Sequence, residues 1–195
     1  MKKKNGFTFV EVLAVVVLLG VLATVAMTTV LPQISKSKKE IFLVDAKNIM
    51  KMAEGLFAEK QALNELPRTY SSPSVEGIYY RYKYELYGQK SYIAYAIDIQ
   101  DLKSLMDIEE DYTGYVILAD YGNEVKSYIN LTNNNFELIG KDDCIKNGSI
   151  SINMCFYSTE TLKEDFVINN DGDPSVRQVN FNEITSTNKN NIRLY

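Results

Sequence analysis

An uncharged apolar segment near the N terminus limits the folds open to this chain. Residues 12–27 carry no charged side chain, and the apolar run around them extends from Phe7 to Leu31. As a helix rising ~1.5 Å per residue, this run measures roughly 37 Å, which exceeds the ~30 Å hydrocarbon core of a bilayer. The lysines Lys2–Lys4 precede it, and positive charge is retained on the cytoplasmic side of a membrane. The sequence therefore predicts a membrane segment with a cytoplasmic N terminus and with the rest of the chain outside.

Glu11 is unusual for such a segment. An ordinary secretory signal, cleaved near residues 24–26, and an uncleaved single-pass anchor both explain the apolar run. Neither explains Glu11, because a carboxylate at the bilayer centre is unfavourable by about 2.5–3.5 kcal/mol, and by less near the edge. A cut between Gly6 and Phe7 would place a new α-amino group one helical turn before Glu11. Pairing with that cation, in the same subunit or in a staggered neighbour, would compensate the charge and fix the register between subunits.

The N-terminal residues carry a family resemblance. Gly6-Phe7-Thr8-Phe9-Val10-Glu11, after a short basic leader and before apolar sequence through Gly20, resembles the class III signal of type IV pilins and pseudopilins. This resemblance implies that a membrane aspartyl protease, the prepilin peptidase, removes residues 1–6 and methylates the new N-terminal Phe7. It also implies that Glu11 docks each subunit onto a growing filament. The implied partners are identical or related pilins, the peptidase and an inner-membrane assembly platform.

The segment after the apolar run predicts a continued helix. Many members of this family have a proline where this chain has Thr28, and the first proline here is Pro32. Because the ring of Pro32 would clash with the main-chain carbonyl of Thr28, we expect a kink in the helix between Met27 and Pro32. The alternative is that Pro32 ends the membrane helix. We divide the helix into a filament-core part, residues 7–31, and an amphipathic part, residues 32–65. The apolar stripe of the second part comprises Phe42, Ala46, Ile49, Ala53, Leu56 and Leu63.

Residues 66–195 predict a globular antiparallel β-sheet head. Strand-like stretches lie at Ile78–Tyr87, Ser91–Ile99, Tyr115–Asp120, Val125–Leu131 and Ser149–Tyr157, with a short helix at Asp101–Met106 and a hairpin turn at residues 121–124. One long helix packed on such a sheet is an α+β fold, and the family resemblance implies the same architecture. Alternation puts Tyr92, Ala94 and Ala96 on one face of a strand. Alternation also puts Tyr80, Tyr82 and Tyr84 on one face of a strand. We expect these rings to pack within the sheet rather than to form a stacking surface for a ligand or another subunit.

The chain contains only two cysteines, Cys144 and Cys155. In an extracellular head they are expected to form a disulfide, which stabilises by about 3 kcal/mol in the chain-entropy model. The resemblance supports this pairing, because many pilins close a C-terminal loop with a disulfide. Two separate buried thiols are the alternative, since Cys155 falls within a candidate strand.

Composition argues against several other functions. The chain has no histidine, no phosphate-binding loop and no nucleophile elbow, so neither an enzyme nor a cofactor is predicted. Residues 169–173 resemble part of a calcium loop but lack its remaining ligands, so a turn is expected and no metal site. The net charge of −4 becomes −7 in side chains once Lys2–Lys4 are removed, which argues against nucleic acid.

The expected function is that of a structural subunit of a type IV pilus. The precursor is expected to span the cytoplasmic membrane once, in contact with lipid, and the mature subunit to enter an extracellular or cell-surface filament. A minor pilin, or a pseudopilin of a secretion or competence system, is an alternative within the family. A membrane-anchored extracellular binding protein is the alternative from another class.

Overall fold

The computed structural model describes residues 8–68, 78–84, 92–103, 112–138, 154–169 and 192–195. The chain divides into two compact units, one through Ile41 and one from Phe42 onward. The first unit contains the N-terminal part of helix α1, which extends from Phe9 to Ala62. The second unit contains the rest of α1 and all the strands described here.

The long helix is continuous through its internal proline. The secondary structure of α1 is helical on both sides of Pro32, so the expectation of a continued helix is confirmed and Pro32 does not end it. At the C-terminal end, Asn64 adopts a left-handed φ of 56°. The Glu65 N–H donates to the Lys60 carbonyl over 2.9 Å, which is the bond that closes a Schellman end. The kink between Met27 and Pro32 stays a prediction.

Six strands form the main sheet. They are β1 (Ile78–Tyr84), β2 (Tyr92–Asp98), β3 (Thr113–Asp120), β4 (Val125–Thr132), β5 (Phe136–Leu138) and β7 (Val167–Asn169), in the order β1-β2-β3-β4-β5-β7. Every neighbouring pair in it is antiparallel. Strands β6 (Met154–Phe156) and β8 (Ile192–Leu194) form a separate parallel pair, and a bridge from Tyr157 to Ile129 joins the end of β6 to β4. The α+β fold predicted from the sequence is confirmed.

The main core lies between α1 and one face of the sheet. Five of the six predicted stripe residues are buried there, together with Met50 and Phe57. Opposite them lie alternate residues of the central strands, including Ile97, Val116 and Ile129. Hydrogen bonds also link α1 to β4 and to the residue before β3: the Ser127 hydroxyl donates to Glu54, and Tyr112 Oη donates to Asp45 over 2.7 Å. Apolar packing and these bonds together hold the second half of α1 on the sheet.

The opposite side of the sheet, which we term the far face, carries a smaller apolar cluster. Tyr92, Ala94 and Ala96 all belong to it, as strand alternation predicts. Phe156 and Leu194, from the two-stranded sheet, pack in the same cluster. At one end of the far face the lining becomes polar and half-exposed, where β2 leads into the short helix α2 (Ile99–Leu102).

Several local expectations need correction. Leu63 is not part of the buried stripe: it follows the last residue of α1 and is 57% exposed. The short helix begins at Ile99 rather than Asp101, because the Asp98 carboxylate accepts the Gln100 N–H and caps it. In β1 the pairing register shifts between Tyr80 and Lys83, and the common face of Tyr80, Tyr82 and Tyr84 stays a prediction. Strands β5, β7 and β8 were not predicted, and residues 170–173 lie outside the described part.

Candidate assembly segment

The first helical turn is closed by a reciprocal pair of contacts between Thr8 and Glu11. The Thr8 N–H donates to Glu11 Oε2 over 2.8 Å, and the Glu11 N–H lies 3.3 Å from Thr8 Oγ1. The main-chain oxygen of Thr8 also accepts from Glu11 and Val12, at 3.1 and 3.2 Å. This is a capping box, in which the residue before the helix and the third helical residue satisfy each other's free N–H groups. Thr8 therefore fixes both the start of α1 and the position of the Glu11 carboxylate.

The capping contact partly compensates the Glu11 carboxylate within its own helix. Its carboxylate already has a hydrogen-bond partner within its own chain, so a cation is not required to compensate it fully. Only Oε2 is engaged, however, and no donor among the described residues contacts Oε1. The side chain is also exposed. An amino group from this subunit or another therefore has access to one carboxylate oxygen without breaking the cap.

The helix that follows presents apolar side chains to its surroundings on every side. From Phe9 to Leu31, each large apolar residue that is described is at least 46% exposed within the chain. A helix that is apolar all round is typical of burial in a membrane or in a bundle of other helices. Of the helices in the described ranges, only α1 is long and apolar enough to cross a membrane. The chemistry of the segment thus fits a membrane-anchored precursor.

Two threonine hydroxyls within the apolar segment are satisfied locally. The hydroxyl of Thr24 donates to the carbonyl of Val21 over 2.7 Å, and that of Thr28 donates to the carbonyl of Val25 over 2.9 Å. Such bonds to the preceding turn let threonine lie in an apolar helix without a partner from outside. They also leave the outer surface of the segment without free hydroxyl donors at these two positions.

Of the remaining predicted site residues, the structure describes only Cys155. Gly6 and Phe7, at the predicted cleavage and methylation site, lie just before the first described residue. Cys155 is buried at 2% exposure in the core of the second unit, whereas Cys144 lies outside the described ranges. The disulfide between them therefore stays a prediction.

The helix cap could have been predicted from the sequence, although the sequence analysis considered Glu11 only as an ion-pair partner. Thr8-x-x-Glu11 followed by an apolar run matches the capping-box pattern. The pattern identifies Thr8 as a residue that positions Glu11. It also means that two physical roles, helix capping and charge pairing, fall on one carboxylate.

Comparison with known proteins supports the N-terminal assignment. Residues 1–27 match the family model of the prokaryotic N-terminal methylation motif. The class III signal of type IV pilins and pseudopilins is thereby confirmed in this chain, and the motif implies processing by a prepilin peptidase and pilin-type assembly in general. No curated protein and no solved structure shows significant similarity to the chain.

Proposed function

We propose that this chain is a structural subunit of a type IV pilus, assembled through α1 after its leader is removed. Prepilin peptidase would cut between Gly6 and Phe7 and methylate the new amino group. The membrane-spanning precursor would then leave the lipid for an extracellular or cell-surface filament of identical or related subunits. The observation that carries the proposal is the methylation motif over residues 1–27, placed directly on a helix whose apolar side chains are exposed.

The geometry of the helix start supports a docking role for Glu11. Cleavage would make Phe7 the N-terminal residue, so the new amino group would lie one residue before the Thr8 N–H that Glu11 Oε2 accepts. The open oxygen, Oε1, is then the acceptor for an amino group of the adjacent subunit. A carboxylate already held by a cap loses little side-chain entropy on pairing, which favours a specific contact over a diffuse attraction.

The chemical identity of the mature N terminus tests the processing step. Mass spectrometry of the protein from cells that contain the peptidase should find a chain that begins at Phe7 and carries one added methyl group. A Gly6→Val variant, which places a β-branched side chain at the cut, should retain Met1. A chain that begins near Met27, or a wild-type chain that retains Met1, contradicts the proposal.

Two variants separate the capping role of Glu11 from its charge. Glu11→Gln keeps an oxygen that can accept the Thr8 N–H but removes the negative charge. Thr8→Ala keeps the charge but removes the hydroxyl cap, at about 1 kcal/mol of helix stability. If docking depends on the charge, Glu11→Gln is cleaved normally yet is absent from sheared filaments, whereas Thr8→Ala still enters them. Normal incorporation of Glu11→Gln, with loss of Thr8→Ala, would instead assign Glu11 to capping alone.

A minor pilin, or a pseudopilin of a secretion or competence system, is the second candidate, because the same motif occurs at the N terminus of both kinds of subunit. The two candidates differ in how much of the filament the chain constitutes. Quantitative mass spectrometry of purified filaments should find this chain as the predominant component if it is a major pilin. A small fraction beside another pilin supports the second candidate.

A further inference from the structure

A small polar groove lies on the far face where β2, β3 and β4 reach the start of α2. The strand pairing aligns Asp98, Tyr115 and Asn130 in one row across the sheet. Thr113 and Thr132 form the next row. These five residues, with Gly114 and Gln100, line a cavity of about 100 Å³. That volume accommodates a cation with bound water molecules but is small for a larger organic ligand.

The hydrogen bonds around the groove leave oxygen atoms without donors. The side-chain amide of Gln100 donates to the carbonyl of Tyr112 over 2.8 Å, and that of Asn130 donates to the carbonyl of Cys155 over 3.0 Å. Each bond fixes the nitrogen side of its amide, so the two amide oxygens point elsewhere. No donor among the described residues contacts either oxygen. The groove thus combines a carboxylate, two amide oxygens and two threonine hydroxyls.

The groove has one acidic side chain in its lining. Asp98 is the carboxylate in the lining, and burial raises its pKa above the usual value, with nearby Asp101 adding to the effect. Hydrogen bonds from the Gln100 N–H and from the Tyr115 hydroxyl lower the pKa. Lys103 also acts in that direction, and as a cation it opposes the binding of a metal. A bound divalent cation would stabilise the charged form of Asp98 in the same way.

Gly114 shows that the backbone in this region is closely packed. Its φ is +134°, and a Cβ at this position would overlap the main-chain oxygen of Asn130. Only glycine lets β3 and β4 approach so closely, which holds the groove rows of the two strands in register. Asp98, Asn130 and the two threonines are therefore carried on sheet strands, and Gln100 lies at the start of α2.

We propose that this groove binds a hard divalent cation of the calcium type, held by Asp98 and the neutral oxygens of Gln100, Asn130 and Thr132. Such ions prefer carboxylate, amide, hydroxyl and water oxygens. With one carboxylate in the site, the dissociation constant for Ca²⁺ is expected on the order of 10⁻⁴–10⁻³ M, the range of extracellular modules. The proposal does not depend on filament assembly.

Terbium luminescence tests the site, because Tyr115 lies in the lining and can sensitise Tb³⁺ by energy transfer. The full chain in nonionic detergent should give a saturable emission on tyrosine excitation, and Ca²⁺ should displace it. Asp98→Asn keeps an oxygen for the cap of α2 but removes the charge, and it should weaken binding at least ~10-fold. Glu124→Gln, which removes the same charge from the exposed β3–β4 turn, serves as the matched control and should retain the wild-type affinity.

A gain-of-affinity variant keeps the test decisive if Asp98→Asn unfolds. Asn130→Asp adds a second carboxylate to the lining and should tighten Ca²⁺ binding by roughly 10-fold. Emission that never saturates, or equal affinity in Asp98→Asn and Glu124→Gln, overturns the proposal. An unchanged affinity in folded Asn130→Asp does so as well, since it would place any bound ion elsewhere on the acidic surface.

Discussion

Glu137 makes the stability of the second unit dependent on pH. Its neighbours Phe136 and Leu138 belong to the main core, so strand alternation turns Glu137 toward the far face, between Thr132 and Ile168 of the adjoining strands. The residue is 8% exposed, and Oε2 has no hydrogen-bond donor within the described ranges. Burial raises the pKa of Glu137 from 4.5 to about 7. Below about pH 7 the folded protein therefore holds the Glu137 proton more tightly than the unfolded chain does.

The sign of the pH effect follows from where the proton is held. Between about pH 4.5 and pH 7 the folded protein retains the Glu137 proton while the unfolded chain releases it, so stability falls as pH rises through this window. Above about pH 7 both states are ionised and the loss is complete. Since one pKa unit corresponds to about 1.4 kcal/mol, the loss at pH 8 is about 3 kcal/mol as an upper value.

Glu137→Gln removes this loss, because the amide has nearly the shape of the protonated carboxyl and carries no charge. At about pH 8 the variant should be more stable than wild type by about 2–3 kcal/mol, or roughly 5–10 °C in melting temperature for a unit of this size. At about pH 4 the two proteins should unfold alike. Circular dichroism of the full chain in mild detergent, melted across this pH range, measures the difference.

The matched control is Glu160→Gln, which removes the same charge from an exposed position. It should leave the pH profile of the wild type unchanged. A Glu137→Gln profile parallel to that of wild type, or a Glu137→Gln protein less stable than wild type at about pH 8, would refute the reasoning. Either result would mean that Glu137 is solvated or paired in solution.

Three further perturbations have defined outcomes. Gly114→Ala should lower the free energy of unfolding by more than about 1 kcal/mol in denaturant titrations, since the new methyl group meets the Asn130 oxygen and φ is positive. If Cys144 and Cys155 are paired, a thiol reagent should label neither in unfolded, unreduced protein, and reduction should destabilise by about 3 kcal/mol; labelling of both before reduction contradicts the pairing. Ala46→Leu, at a fully buried helix position, should lower the free energy of unfolding by about 1–3 kcal/mol through overpacking. An unchanged melting temperature would contradict the close packing of α1 against the sheet at this position.

The parts of the fold that were predictable have long, regular patterns. The apolar stripe of α1 identified its buried face because the three–four spacing persists from Phe42 to Leu56. The β3–β4 hairpin was predictable from its turn, where Gly122 adopts a φ of 88° and its N–H donates to the Asp120 carboxylate over 2.7 Å. In both cases the determining contacts lie close together in sequence.

The parts that were missed depend on distant pairing. Strand β5 has only three residues and a single paired residue with β4, and the edge strand β7, which pairs with it, lies about 30 residues later in the chain. Strand β8, which was also missed, likewise pairs with β6 across a long separation. Three residues are too few to show a strand period, so their structure depends on what the rest of the fold places beside them. The groove near Asp98 was missed for the same reason, because its lining comes from three strands and α2.

At the assembly segment, the sequence identified the residue but only part of its chemistry. Glu11 was singled out because a charge is exceptional within an apolar helix. Its cap with Thr8 requires only a three-residue spacing and was accessible from the same six residues. The roles of Gly6 and Phe7 in cleavage and methylation are supported by the motif alone, since the described structure begins after these residues.

The inward-turned hydroxyls of Thr24 and Thr28 bear on how such a helix could change surroundings. Each donates to a carbonyl of its own helix, so neither depends on lipid, water or a neighbouring protein for a partner. In the proposed assembly, moving this segment from fluid lipid into a shaft of packed helices would exchange one apolar neighbour for another while these bonds stay intact. The passage would then be opposed by little beyond the displacement of lipid chains, and filaments of such subunits could grow and shrink from the same reservoir.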